Sequence, residues 1–238
     1  MAKHIGIVAC SAEGAALCYR TICEEGDGRL GNYHHPEITM HTHSLGEYME
    51  FVDRGDWQGV AGLVLSSAGK LAKAGADFLI CPDNTVHLAF ETFAPKSPLP
   101  WLHIAEEVAA EAKRRGFRKL AVTGTRYTME GPLYPPKLAE VGIESLSPNQ
   151  TEQQRINEII FEELVRGIFT GESRSDFHRI LNRMMDDGCD AVVLGCTEIP
   201  LLIDDTTSPL PTLDSTRILA RAALHRALAI PVGEDLKL

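Results

Sequence analysis

Short apolar runs alternate along this chain with longer stretches in which apolar positions recur at helical spacing. His4–Ala9 (HIGIVA) is a compact apolar run followed by small residues and then by AEGAALCYRTI, which reads as strand, turn and helix. Leu63, Val64, Ser67 and Leu71 share one helical face, Gly75 stops that helix, and Phe78–Cys81 reads as a buried strand. Val108–Lys113 is helical, Gly116 ends it, and Lys119–Thr123 is the next strand. Ile156, Ile159, Ile160, Leu164 and Ile168 predict one long helix over Glu152–Ile168, opened after Pro148 by a capping box of Thr151 with Gln154. Phe177, Ile180, Leu181 and Met184 form a further helical face, Gly188 closes it, and Ala191–Leu194 is a strand. Strands that alternate with helices in this way predict an α/β fold with parallel sheets.

The pattern repeats. Lys3–Val8 (KHIGIV) resembles Arg118–Thr123 (RKLAVT) at an offset of 115 positions, and Gly75–Ile80 (GADFLI) resembles Gly188–Val193 (GCDAVV) at 113. Two matches at nearly one offset predict two similar α/β halves. Ligands of open α/β sheets lie beyond the carboxyl ends of strands. That directs attention to Pro82-Asp83-Asn84-Thr85 and Gly195-Cys196-Thr197-Glu198, in which Asp83 falls opposite Cys196 and Asn84 opposite Thr197.

Composition narrows the function classes. With 238 residues, 44% hydrophobic and 24% charged, the chain can bury a sizeable core and is not a disordered segment. The net charge of −10 and the lack of a basic stripe argue against nucleic acid and anionic membranes as partners. No apolar run approaches the roughly 18–20 residues of a membrane helix, and the N-terminus lacks the pattern of an export signal. The six cysteines are therefore expected as reduced thiols in the cytoplasm.

A cysteine on the turn after a buried strand gains thiolate character from free backbone N–H groups, and in Gly195-Cys196-Thr197-Glu198 a hydroxyl and a carboxylate follow it. The alternative is a small buried thiol at a tight turn. Cys81–His87 (CPDNTVH) offers a carboxylate, an amide and a hydroxyl on one turn, with Asp83 or Asn84 capping the next helix as the alternative. Cys81 is expected in the core, and Cys10, Cys18, Cys23 and Cys189 as packing residues. His41 and His43 fall on one strand face, but nothing nearby completes a zinc spacing, so no metal is expected. No Gly-rich dinucleotide fingerprint follows the first strand. Gly69-Lys70 fails the phosphate-loop pattern, because Val64 stands where the earlier glycine belongs.

At these residues the chain resembles the cofactor-independent aspartate/glutamate racemase family, and its bacterial aspartate/glutamate branch in particular. The resemblance covers nearly the whole sequence and is carried by IGIV…SAEGAALCYR, GADFLICPDNTVH, LPWLHIAE, LAVTGTRYTME, RINEIIFEEL and GCTEIPLL. It implies two pseudo-symmetric Rossmann-like domains, of residues 1–100 plus 214–238 and of 101–213, with the active site in the cleft between them. It also implies a homodimer, and an acid/base reaction at Cα of aspartate or glutamate with neither pyridoxal phosphate nor metal. Two thiols serve as base and acid in the family. The second corresponds to Cys196, whereas Asp83 stands where the first thiol precedes Asn-Thr.

Abstracting a proton beside a carboxylate builds charge on a group that is already anionic, so hydrogen-bond donors must be aimed at it. Asn84, Thr85 and Thr197 resemble the family residues with that task, and Ser11 falls in the family's first motif. Inversion needs a base on one face and an acid on the other, the places of Cys196 and Asp83. An unperturbed Asp, at about pKa 3.9, must be raised to serve as the acid. Arg54 and Arg155 match the family's basic positions, and a guanidinium fork suits the distal carboxylate of the substrate. Without the resemblance both read as surface arginines among acidic neighbours. The competing expectations are a single-thiol decarboxylase or isomerase of the same superfamily, and a catalytically silent ligand-binding member.

Overall fold

The computed structural model describes residues 2–229, so the expected contribution of 230–238 to the first domain lies outside the described residues. The chain forms two compact units, one running to Glu107 and resuming at Thr216, the other spanning Val108–Ser215. In the first unit β1 (Ile5–Ala9), β2 (Ile38–Thr42) and β3 (Phe78–Ile80) form a parallel sheet of order β2-β1-β3. In the second, β4 (Lys119–Gly124), β5 (Glu144–Leu146), β6 (Ala191–Gly195) and β7 (Thr212–Asp214) form a parallel sheet of order β5-β4-β6-β7. The fold is α/β with two parallel sheets.

The strands β1, β3 and β6 are buried along their whole length, which is why they read as continuous apolar runs instead of alternating ones. Ile5 and Ile7 of β1 pack with Cys18 and Ile22 of helix Ala12–Leu30 and with Leu219, Ala223 and Leu224 of helix Ser215–Leu228. Helix Trp57–Lys73 packs against β1 and β2. The second core joins Val192 and Leu194 of β6 to Ile156, Ile159 and Ile160 and to Phe177, Ile180 and Leu181 of helix Gly171–Asp186.

The repeat seen in the sequence is a repeat of strand register. Ile5 of β1 pairs with Phe78 of β3, and Leu120 of β4 pairs with Ala191 of β6, which are the same positions at offsets of 115 and 113. The loops that enter β3 and β6 match as well. Gly75 and Gly188 both take left-handed backbone angles, φ 93 and 91, where a side chain would be strained. Asp77 Oδ2 accepts the His4 N–H at 2.7 Å, and Asp190 Oδ1 accepts the Lys119 N–H at 3.1 Å.

Two expectations need correction. The helix expected over Glu152–Ile168 starts earlier and ends sooner. Its capping box is Asn149 with Glu152, with the Glu152 N–H donating to Asn149 Oδ1 at 3.1 Å and the Asn149 N–H to Glu152 Oε2 at 3.0 Å. Pro148 lets the helix begin immediately after it, so Thr151 already lies inside the first turn. The α-helix Gln150–Glu158 then widens into a π turn over Ile159–Glu163 and tightens at Leu164–Arg166, where Gly167 (φ 72) stops it. Ile168 falls beyond that stop and is 46% exposed, not part of the buried face. The strands β5 and β7 were not expected, and β2 only through the spacing of His41 and His43, of which His43 lies just past the strand's end. They are short or carry polar residues such as Thr39, His41, Glu144 and Ser145, so the apolar pattern is silent about them.

Candidate active site

The matched register places the two candidate turns at one position in each unit. The last pair common to both sheets is Ile7 with Ile80 in the first and Val122 with Val193 in the second. Asp83 and Cys196 each come three residues later. In the second unit the β4–β6 pairing runs on to Gly124 and Gly195, where the two backbones come too close for a side chain. A Cβ on Gly195 would stand 2.6 Å from the Thr123 carbonyl oxygen. Gly195 therefore lets the strand close fully before the chain turns out at Cys196.

Cys196 is half-buried at the start of that turn. Its thiol donates to Glu198 Oε2 at 3.0 Å, and the Thr197 hydroxyl donates to the same oxygen at 2.8 Å. Glu198 is 5% exposed, so these contacts help to satisfy a buried carboxylate. The arrangement gives the thiol a proton acceptor in contact. Glu198 is a functional candidate to which sequence reasoning attached no role. Its signal was the carboxylate two residues after the cysteine.

The equivalent turn of the first unit is built differently. Cys81 is fully buried, and burial, with Asp83 adding to it, pushes its thiol pKa well up, so it is a packing group as expected. Asp83 is partly exposed, and its Oδ1 caps the following turn by accepting the Val86 N–H at 3.1 Å. Its main-chain carbonyl accepts from His87 Nδ1 at 2.8 Å, while His87 Nε2 accepts the Ile104 N–H at 3.3 Å. His87 is thereby assigned the neutral Nδ1–H form, and burial, then His103, lowers its pKa to about 3. The imidazole ties the Asp83 turn to the start of helix Ile104–Arg114. Sequence reasoning missed it, although it closes the CPDNTVH stretch. Asn84 is buried, and Thr85 opens the single-turn helix Thr85–Ala89. Ser11 follows β1, the strand next to β3, and caps helix Ala12–Leu30 by accepting the Gly14 N–H at 3.2 Å.

The two arginines differ in what they hold. Arg54 is exposed just past helix Leu45–Val52, over the Phe51 ring at 5.5 Å. Arg155 is engaged inside the second unit, with Nε donating to Asp176 Oδ2 at 2.7 Å and a terminal nitrogen 3.7 Å from Glu163 Oε1. Asp176 raises its pKa further. A substrate carboxylate at Arg155 would have to share the guanidinium with these partners.

His41 and His43 lie edge to face, 5.0 Å apart. His41 Nδ1 contacts Ser67 Oγ at 2.9 Å and its Nε2 contacts Lys70 Nζ at 2.8 Å, while His43 Nε2 contacts Ser66 Oγ at 3.1 Å. Burial, followed by Lys70 and His43, lowers the His41 pKa. Among the described residues, no group of three or more His, Cys, Asp or Glu side chains is arranged to hold a metal ion, and no helix is long and apolar enough to cross a membrane.

Residues 6–223 match the family model described as Asp/Glu/Hydantoin racemase. A broad-specificity amino-acid racemase of Bacillus subtilis is 27% identical over 166 residues, which is 70% of this chain and 71% of that protein. A crystal structure of a putative Asp/Glu racemase from Yersinia pestis superposes with a TM-score of 0.88 at 34% identity, covering 95% of this chain and 99% of that one. An aspartate racemase homologue from Pyrococcus horikoshii gives a TM-score of 0.83 at 30% identity, with the same coverage.

Proposed function

The chain belongs to the Asp/Glu/hydantoin racemase family and is an amino-acid racemase, and we propose that it inverts Cα of an acidic amino acid, aspartate or glutamate, without a cofactor. The observation that carries this reading is the matched register that presents Cys196 and Asp83 at one position after two copies of the same strand pairing. Cys196 is the base. Its thiol proton passes to Glu198 Oε2, and the thiolate removes the Cα proton, leaving the electron pair delocalised into the substrate carboxylate. Protonated Asp83 then delivers its proton to the other face of Cα, and the new C–H bond completes the inversion. Asn84, Thr85, Thr197 and Ser11 supply donors for the carboxylate that carries the developing charge. Thr197 must leave Glu198 to do so, which it can do as Glu198 takes up the thiol proton and becomes a weaker acceptor. Arg54 and Arg155 recognise the distal carboxylate. The proposal includes a cytoplasmic homodimer.

One observation favours a second reading. Asp83 Oδ1 is already occupied in capping Val86, and the Arg155 guanidinium is already ion-paired. A protein that used Cys196 alone, on an acid without an α-amino group, would act as a decarboxylase or isomerase and would need neither group.

Incubation with L-Asp, D-Asp, L-Glu and D-Glu in deuterated water, followed by NMR, separates these readings. Cα deuterium appearing together with the opposite enantiomer is the expected result. Binding of these amino acids without any exchange removes the racemase proposal for them.

A further inference from the structure

His87 is a buried titratable side chain that the mechanism above does not use. Its ring is 3% exposed, stacked on Phe90 with centroids 5.8 Å apart and edge to face with His103 at 5.0 Å. Both ring nitrogens hold main-chain groups. Nδ1 donates to the Asp83 carbonyl at 2.8 Å, and Nε2 accepts the Ile104 N–H at 3.3 Å. The far end of this link is itself anchored. The next two N–H groups of helix Ile104–Arg114, those of Ala105 and Glu106, meet His103 Nδ1 at 3.2 and 3.4 Å. Two imidazoles thus take N–H groups that the first turn of a helix leaves without helical partners, and one of them spans from there to the Asp83 main chain. These contacts exclude the ring as an acid or base. A carbonyl can only accept, so Nδ1 carries the proton, and the Nε2 lone pair is occupied by an amide. Burial, then His103, keeps the ring neutral, with its pKa lowered to about 3. A phenylalanine or leucine would fill the same space but would leave the Asp83 carbonyl and the Ile104 N–H without this partner.

We propose that His87 is a positioning residue for the Asp83 half of the reaction: its two hydrogen bonds hold the Asp83 main chain against the start of helix Ile104–Arg114, and so hold the carboxyl where it meets Cα. The proposal rests on the reading above for the role of Asp83. The Asp83 side chain has its own restraint, the Val86 N–H that Oδ1 accepts at 3.1 Å. Main chain and side chain of the proton-delivering residue are then held by separate bonds, and only the first belongs to the His87 ring. Proton delivery to carbon needs close approach, and a misplacement of about 1 Å costs roughly a hundredfold. Cys196 stands on a different turn, and its contact with Glu198 does not involve His87. Loss of the bond to Asp83 therefore slows one half of the reaction and spares the other.

Two variants of the full chain separate the two bonds. Asparagine reaches as far as Nδ1 and keeps a donor for the Asp83 carbonyl, whereas glutamine reaches as far as Nε2 and keeps an acceptor for the Ile104 N–H. Both are expected to melt below the wild type, so rates are read where each is folded. His87→Gln is expected to lower Cα deuterium wash-in from the enantiomer facing Asp83, and racemisation in both directions, by about tenfold or more. Wash-in from the enantiomer facing Cys196 should stay within about twofold, and His87→Asn should keep all of these rates within about threefold. Equal loss on both faces, equal loss in both variants, or no loss in His87→Gln overturns the proposal and leaves His87 a packing residue. Ring nitrogen NMR shifts of the wild type need no variant and are expected to show the neutral Nδ1–H form. An Nε2–H ring, donating to the Leu102 carbonyl instead, would also overturn it. Asp83→Asn is the control. If it racemises normally, the role of Asp83 falls and this proposal with it, whereas a slow Asp83→Asn beside a normal His87→Gln removes only the His87 proposal. A wild type that exchanges none of L-Asp, D-Asp, L-Glu and D-Glu removes both.

Discussion

The turns after β3 and β6 stand at one place in two copies of the same strand pairing, yet they present different side chains. After β6 the strand closes on paired glycines, and a half-buried thiol emerges in contact with a buried carboxylate. After β3 the thiol, Cys81, is turned into the core two residues early, and a carboxylate, Asp83, takes the outward position. The supporting contacts differ too. Glu198 gathers the Cys196 and Thr197 protons, whereas the Asp83 turn is held from behind by the neutral imidazole of His87. Equivalent backbone therefore does not imply equivalent acid/base groups. Under the proposed mechanism Cys196 gives up its proton to the acceptor in contact with it, and Asp83 delivers one only after it has been protonated.

The largest expected effect tests the thiol side. Cys196→Ala should abolish Cα exchange and racemisation in both directions, a loss of at least about a thousandfold, with little change in melting temperature. Retained exchange would show that the wrong thiol has been assigned. Next comes Asp83→Asn. Asparagine keeps the cap on Val86 but cannot carry the proton, so racemisation should fall by roughly a hundredfold or more. Deuterium wash-in from the enantiomer whose Cα proton meets Cys196 should persist. Full racemisation by this variant would leave Asp83 as a cap and nothing else.

A third effect concerns stability and belongs to the β3 turn alone. His87 is held at a pKa of about 3 in the folded protein, below the 6.5 of an ordinary imidazole. Between these values the unfolded chain binds the proton and the folded chain does not. Stability is therefore intact above about pH 6.5 and falls as pH drops from there toward 3, by up to roughly 4 kcal/mol. Urea midpoints against pH should show that acid slope, and His87→Gln should flatten it. An unchanged slope would place the acid sensitivity elsewhere.

The two arginines give a smaller contrast. Loss of a charge-assisted contact is worth about 1.5–3 kcal/mol, so Arg54→Ala should weaken binding of dicarboxylic amino acids roughly ten- to a hundredfold while leaving alanine little affected. Arg155→Ala should weaken it less, because Asp176 and Glu163 already share that guanidinium. Equal losses for alanine would remove the distal-carboxylate assignment. The smallest effect is expected of Cys81→Ala, which should retain most of the activity and cost only packing.

Reading the sequence succeeded where the signal was a buried apolar run. β1, β3, β4 and β6 are parallel strands whose residues are almost all buried, so the apolar pattern along them is strong. β2, β5 and β7 carry polar residues or span only three positions, and their pairing comes from the neighbouring strand. The helix near residue 150 was legible as a helix but not in its limits, because two overlapping capping boxes fit the sequence and only one lies directly after Pro148.

The α/β class, the internal repeat and the paired positions of Asp83 and Cys196 follow from the order of residues alone, since hydrophobic period and spacing are properties of the chain. The partners of those side chains do not. Glu198 against Cys196 and His87 between Asp83 and Ile104 depend on how turns close, and Arg155 against Asp176 on which helices pack together. Tyr48 is another case. In the sequence it is one more residue on an amphipathic helix, and only packing removes it from water. Hydrogen bonds made or left unmade between distant segments are set by burial in three dimensions, which no local pattern encodes.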